Sequence, residues 1–119
     1  MRHALAAPTR PPRDAELGRL IRRAAALDTG AFLAEAIEHR FAGRIAVVSS
    51  FGVEAAVLLH LVASVDRAVP VVFIDTGKLF GDTLAYRDLL IERLGLNSVR
   101  SIRPAAAALR RRDPAGALW

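Results

Sequence analysis

Two short β-branched runs, Ile45-Ala46-Val47-Val48 and Val71-Val72-Phe73-Ile74, each lead into a polar loop and then a helical stretch. Continuous apolar runs of this length suit strands buried on both faces, as in a parallel sheet. The first run extends through Ser49-Ser50 and breaks at Phe51-Gly52. Val53 to Val65 is then apolar almost all round, the pattern of a buried helix. The second run starts behind Val69-Pro70 and ends in Asp75-Thr76-Gly77. A helix from about Phe80 to Leu94 follows, with Tyr86, Leu90 and Leu94 on one face and Gly95 to stop it. Val99-Arg100-Ser101-Ile102 reads as a third strand, Ala105 to Arg111 as a further helix, and Pro114 with Gly116 as a turn. Strand, helix, strand, helix, strand from residue 45 gives the fold class: α/β, with an open parallel sheet.

Two helices precede the sheet. Asp14 is placed to cap one that runs to about Leu27, with Leu17, Leu20, Ile21 and Ala24 on one face. Asp28 reads as the N-cap of a second, through His39, ended by Phe41 and Gly43. Residues 1–13 contain Pro8, Pro11 and Pro12 and read as a disordered leader, with 14–119 as one domain. The leader is basic but lacks the apolar stretch of a secretory signal. The cytoplasm is the default location, and an organelle transit peptide is the alternative.

Composition removes whole classes of chemistry. The chain has no cysteine, so these residues supply no disulfide, no thiolate metal site and no cysteine nucleophile. No apolar run reaches the roughly 18 residues needed to cross a membrane. The net charge is +5, but residues 45–97 are net acidic and the excess of arginine lies at the two ends. A solvated surface accounts for that first, and an anionic ligand second. Nucleic acid comes last, because no aromatic residues interleave with the arginines. The oligomeric state is left open.

In open α/β sheets ligands bind at the carboxyl ends of the strands, which singles out two loops. The first is Ser49-Ser50-Phe51-Gly52-Val53-Glu54. It leads into a helix N-terminus, where backbone N–H groups and the macrodipole favour an anion. The serine hydroxyls add donors, and Gly52 lets a phosphate come close to the backbone. An ordinary tight strand-to-helix turn uses the same residues. The second loop is Asp75-Thr76-Gly77-Lys78, which holds the only lysine of the chain. Asp75 either accepts a ribose or amine hydrogen bond or caps the loop, and the cap is the simpler role. A nucleotide needs phosphate and sugar contacts together, so two such loops at adjacent strand ends strengthen each other. His60, in the middle of an apolar helix, reads as a packed core or edge histidine and not as a catalyst.

Residues 49–60 resemble the modified pyrophosphate loop of the adenylyl-sulfate and phosphoadenylyl-sulfate reductases. Asp75 to Thr83, followed by Tyr86-Arg87-Asp88, is similar to that family's second signature, and Asp113 to Trp119 resembles the segment just before its cysteine pair. The resemblance covers residues 14–119 and is strongest from 45 to 104. It implies the adenine-nucleotide, pyrophosphate-loop form of a Rossmann-like sheet, with residues 49–54 and 75–78 at the substrate. In the wider superfamily of ATP pyrophosphatases the loop is Ser-Gly-Gly-x-Asp-Ser. Phe51, Glu54 and Ala55 depart from it: the loss of the Asp and the last Ser at Glu54 and Ala55 argues against ATP hydrolysis, and the Phe resembles that of the sulfonucleotide reductases.

The resemblance also implies an activity. In the family a cysteine thiolate attacks the sulfur of adenylyl sulfate or phosphoadenylyl sulfate, AMP or its 3′-phosphate leaves, and thioredoxin or glutaredoxin releases sulfite. Many adenylyl-sulfate enzymes also hold a [4Fe–4S] cluster on four cysteines. The expectation is therefore a partial sulfonucleotide reductase domain that stops before the cysteine motifs and is inactive alone, with no cofactor of its own. A non-catalytic adenine-nucleotide binding module is the alternative.

Overall fold

The computed structural model describes residues 13–117, so the leader, apart from Arg13, lies outside the described residues, as do Leu118 and Trp119. The chain divides into two compact units, Met1–Phe32 and Leu33–Trp119.

In the first unit, helix α1 spans Arg13–Ala26 and buries none of its residues. Leu17 and Ile21, on its apolar stripe, are exposed. Asp28 caps the next helix as its position predicts: its Oδ1 accepts the Ala31 N–H at 2.8 Å. That helix, α2 (Thr29–Glu35), runs past Phe32 into the residues of the second unit and continues there as one wide turn over Ala36–Arg40, in which the Phe41 N–H reaches back to the Ala36 carbonyl. Gly43, at φ +71°, takes the chain out of it.

The second unit is the α/β body. Its strands are β1 (Val47–Val48), β2 (Val71–Ile74) and β3 (Val99–Ile102), all parallel and in the order β1-β2-β3. Val47 pairs with Val71 and Val71 with Val99. Helix α3 (Ala55–Val65) connects β1 to β2, α4 (Gly81–Leu94) connects β2 to β3, and α5 (Ala106–Arg112) follows β3. Gly95 ends α4 in the left-handed conformation, φ +64°, where only glycine sits without strain.

Strand β1 is shorter than the apolar run that predicts it. Val47 and Ser49 donate to the carbonyls of Pro70 and Val72. The next rung towards the N-terminus would need an N–H from Pro70, which has none, so Ile45 and Ala46 stay outside the ladder.

The sheet is covered on one face. Successive residues of a strand point to opposite sides. Val71 and Phe73 point inward, and with Phe51, Leu59, Leu90 and Leu96 they form the main core. Ile37, Val62 and Val69 form a second cluster, with Leu33, Ile45, Val47 and Val65 around it. The opposite face carries Val48, Ile74 and Ile102, at 71%, 58% and 53% exposure. Helix α3 is accordingly half-exposed, not buried all round: only Leu59 and Val62 are buried, while Val57 and Leu58 face out. Its composition cannot show this, because an apolar helix that packs on one side only reads like one enclosed on all sides. His60 is exposed as well, so of the two packing places its surroundings suggest, it does not take the one in the core.

Candidate functional site

Parallel pairing brings the carboxyl ends of all three strands to one edge of the sheet. Both predicted loops emerge there, after β1 and after β2.

The first loop is held by its own side chains. Ser49, buried at the strand end, accepts the Phe51 N–H on its Oγ at 3.1 Å, and the Ser50 Oγ accepts the Gly52 N–H at 3.4 Å. The Gly52 carbonyl then takes the Ala55 N–H and opens α3. Gly52, Val53 and Glu54 are exposed. Among the described residues no acceptor takes the Val53 or Glu54 N–H, so both donors remain for solvent or a ligand. The positive φ of the loop lies at Phe51, at +54°, and not at Gly52. A Cβ added to Gly52 would meet only the Ser50 Oγ, at 3.5 Å. Gly52 is therefore not required by the backbone.

In the second loop, Asp75 is buried at 4% exposure. Its Oδ1 accepts the Gly77 N–H at 2.8 Å and its Oδ2 accepts from the Arg103 Nε at 2.8 Å. Asp75 thus caps its own loop and holds an arginine, with both carboxylate oxygens engaged. The Thr76 Oγ1 accepts the Lys78 N–H at 3.4 Å, and Gly77 turns the chain at φ +79°. The Lys78 Nζ donates to the Gly116 carbonyl at 3.4 Å, which ties this loop to the turn after α5.

The Gly77 N–H, and after it Arg103, hold the Asp75 carboxyl below the usual aspartate value, against the opposing effect of burial. A carboxylate whose pKa is lower in the folded protein stabilises the fold fully above its ordinary value. That contribution fades as the pH falls through the lower, folded value. Carboxyl chemical shifts followed from pH 6 to 2 should therefore show Asp75 titrating below the ordinary aspartates. In Arg103→Gln its midpoint should rise but stay below theirs, because the Gly77 hydrogen bond remains.

Arg103 is a functional candidate that the sequence reading missed. It follows β3 directly, and the Asp75 N–H bonds to the Ile102 carbonyl, so the register alone sets the two residues side by side. Arg87 is a second. Its guanidinium lies 5.3 Å from the centroid of the Phe73 ring and donates to the Ser101 Oγ at 3.4 Å. Val53 and Phe80 are also notable, at 81% and 83% exposure. Each is apolar, and each stands just before a helix that follows one of the loops.

Residues 44–119 match the phosphoadenosine phosphosulfate reductase domain. The chain belongs to this family. It is 54% identical over 78 residues to the adenosine 5'-phosphosulfate reductase of Mesorhizobium japonicum, covering 66% of this chain and 31% of that protein. It is 47% identical over 111 residues to the enzyme of the same name from Chelativorans sp., covering 87% and 43%. To the phosphoadenosine 5'-phosphosulfate reductase of Alkalilimnicola ehrlichii it is 50% identical over 80 residues, covering 67% and 32%. The chain thus spans between about a third and somewhat under half of these relatives. The matched family segment starts at Arg44, just ahead of β1, and so contains the whole sheet and both loops.

Proposed function

We propose that this chain is the nucleotide-binding part of a sulfonucleotide reductase of sulfate assimilation, acting on adenylyl sulfate or its 3′-phosphorylated form. The observation that carries the proposal is the meeting of the 49–54 and 75–78 loops at one sheet edge within the matched family segment. The first loop offers the Val53 and Glu54 N–H groups and the Ser50 hydroxyl to the anionic part of the nucleotide. Gly52 leaves room for a phosphate beside the backbone. Arg103, held by Asp75, brings a positive charge to the same edge. Val53 and Phe80 offer apolar surface to the purine.

Reduction itself needs a thiolate to attack sulfur, with AMP or its 3′-phosphate as leaving group and thioredoxin or glutaredoxin as the source of electrons. No residue here can provide that thiolate, because the chain has no cysteine. For the same reason these residues do not fit a [4Fe–4S] cluster, whose irons take cysteine ligands. This chain therefore binds and orients the nucleotide, and the thiol comes from outside these residues. No helix among the described residues is long and apolar enough to cross a membrane.

Titration calorimetry on the 119-residue protein should show weak binding of AMP and adenylyl sulfate, with Kd of about 0.1–1 mM. The same protein with thioredoxin should release no sulfite. A folded protein, by circular dichroism, that binds neither nucleotide would overturn the binding role. Sulfite release would overturn the division of labour.

A further inference from the structure

Phe51 is a bulky residue in a conformation that glycine would adopt freely. Its φ is +54°, and its side chain is 1% exposed. A left-handed residue with a Cβ is strained, and it persists only where its surroundings fix it. Here the surroundings are specific. The N–H of Phe51 is held by the buried Ser49 hydroxyl. Its ring meets that of Phe73 edge to face, with centroids 5.5 Å apart and planes at 81°. Phe73 is also 1% exposed and stands two residues before Asp75 on β2, and Arg87 lies over its ring. One aromatic contact thus joins the loop after β1 to the strand that carries the loop after β2.

We infer that Phe51 is a positioning residue. Its ring, locked against Phe73, fixes the 49–54 loop relative to the 75–78 loop, so that a nucleotide meets both in one preformed geometry. The inference rests on the nucleotide-binding role proposed above for these loops. Pre-organisation accounts for the choice of residue. A glycine at position 51 would relieve the strain but leave the loop without an anchor. A ligand that ordered the two loops on binding would then lose affinity to their lost freedom.

Phe51→Leu and Phe73→Leu keep an apolar side chain, though a smaller one, and remove the ring contact from either side. Two readouts separate positioning from plain packing: the backbone amide resonances of Gly52 and Gly77, and the affinity for AMP. Each single variant should shift both amides and weaken AMP binding about tenfold, and the double variant should weaken it little further. Val62→Ala, in the second core cluster, lowers stability but should move neither readout. Phe51→Leu shifting the Gly52 amide but leaving Gly77 in place would overturn the inference. So would additive losses of affinity in the double variant, or wild-type affinity in both singles. If the unsubstituted protein binds no AMP, the nucleotide-binding role fails, and the paired amide shifts alone decide whether the two loops are linked.

Discussion

Leu59→Ala should lower the stability of the fold by about 2–5 kcal/mol, whereas Leu58→Ala beside it should cost less than about 1 kcal/mol. The two residues share a helix, a chemistry and a neighbourhood in sequence. Leu59 has no exposed surface and belongs to the main core with Phe51, Val71 and Phe73, so its truncation leaves a cavity in that core. Leu58 is 44% exposed, and shortening it exchanges partly wetted surface for a better helix former. Thermal unfolding would place Leu59→Ala roughly 8–20 °C below the unsubstituted protein. Equal losses at the two positions would mean that α3 is enclosed on both sides.

Gly52→Val should weaken AMP binding tenfold or more and leave the melting temperature within a few degrees. The structure makes this a clean probe. Gly52 has no positive φ, and an added Cβ meets only the Ser50 hydroxyl at 3.5 Å. A loss of affinity would therefore come from a side chain standing where the anion approaches, and not from a damaged loop. Gly52→Ala should fall between the two. Wild-type affinity in Gly52→Val, measured by the same calorimetry, would show that the anion does not approach this part of the backbone.

The backbone plan was legible because each of its signals is local. β-branched runs, a glycine after α4 and an aspartate ahead of α2 each have one cheap structural use, and the sheet, the left-handed Gly95 and the Asp28 cap follow from them. Burial was less legible, since the apolar surface of α3 does not reveal how many neighbours it has. The loop residues 49–54 and 75–78 could be placed at the strand ends, and the Asp75 cap could be anticipated, but their other internal bonds could not. Asp75 has its partner 28 residues away at Arg103, a contact made by strand register and not by sequence spacing. Phe51 was recognisable as a departure from a glycine pattern, but its left-handed backbone and its contact with Phe73 appear only in three dimensions.

The outer face of the sheet sets how the protein behaves in concentrated solution. Val48, Ile74 and Ile102 stand open there, and of the strand residues on that side only Arg100 is charged. Arg100 lies on β3, an edge strand, where a charge opposes stacking against another molecule. Beyond that single guard, mutual repulsion from the net charge of +5 keeps molecules apart. Salt shortens the reach of that repulsion to about 3 Å at 1 M and leaves the apolar face as it is. Light scattering should accordingly report self-association that grows with ionic strength, and Arg100→Ser should bring its onset to lower salt.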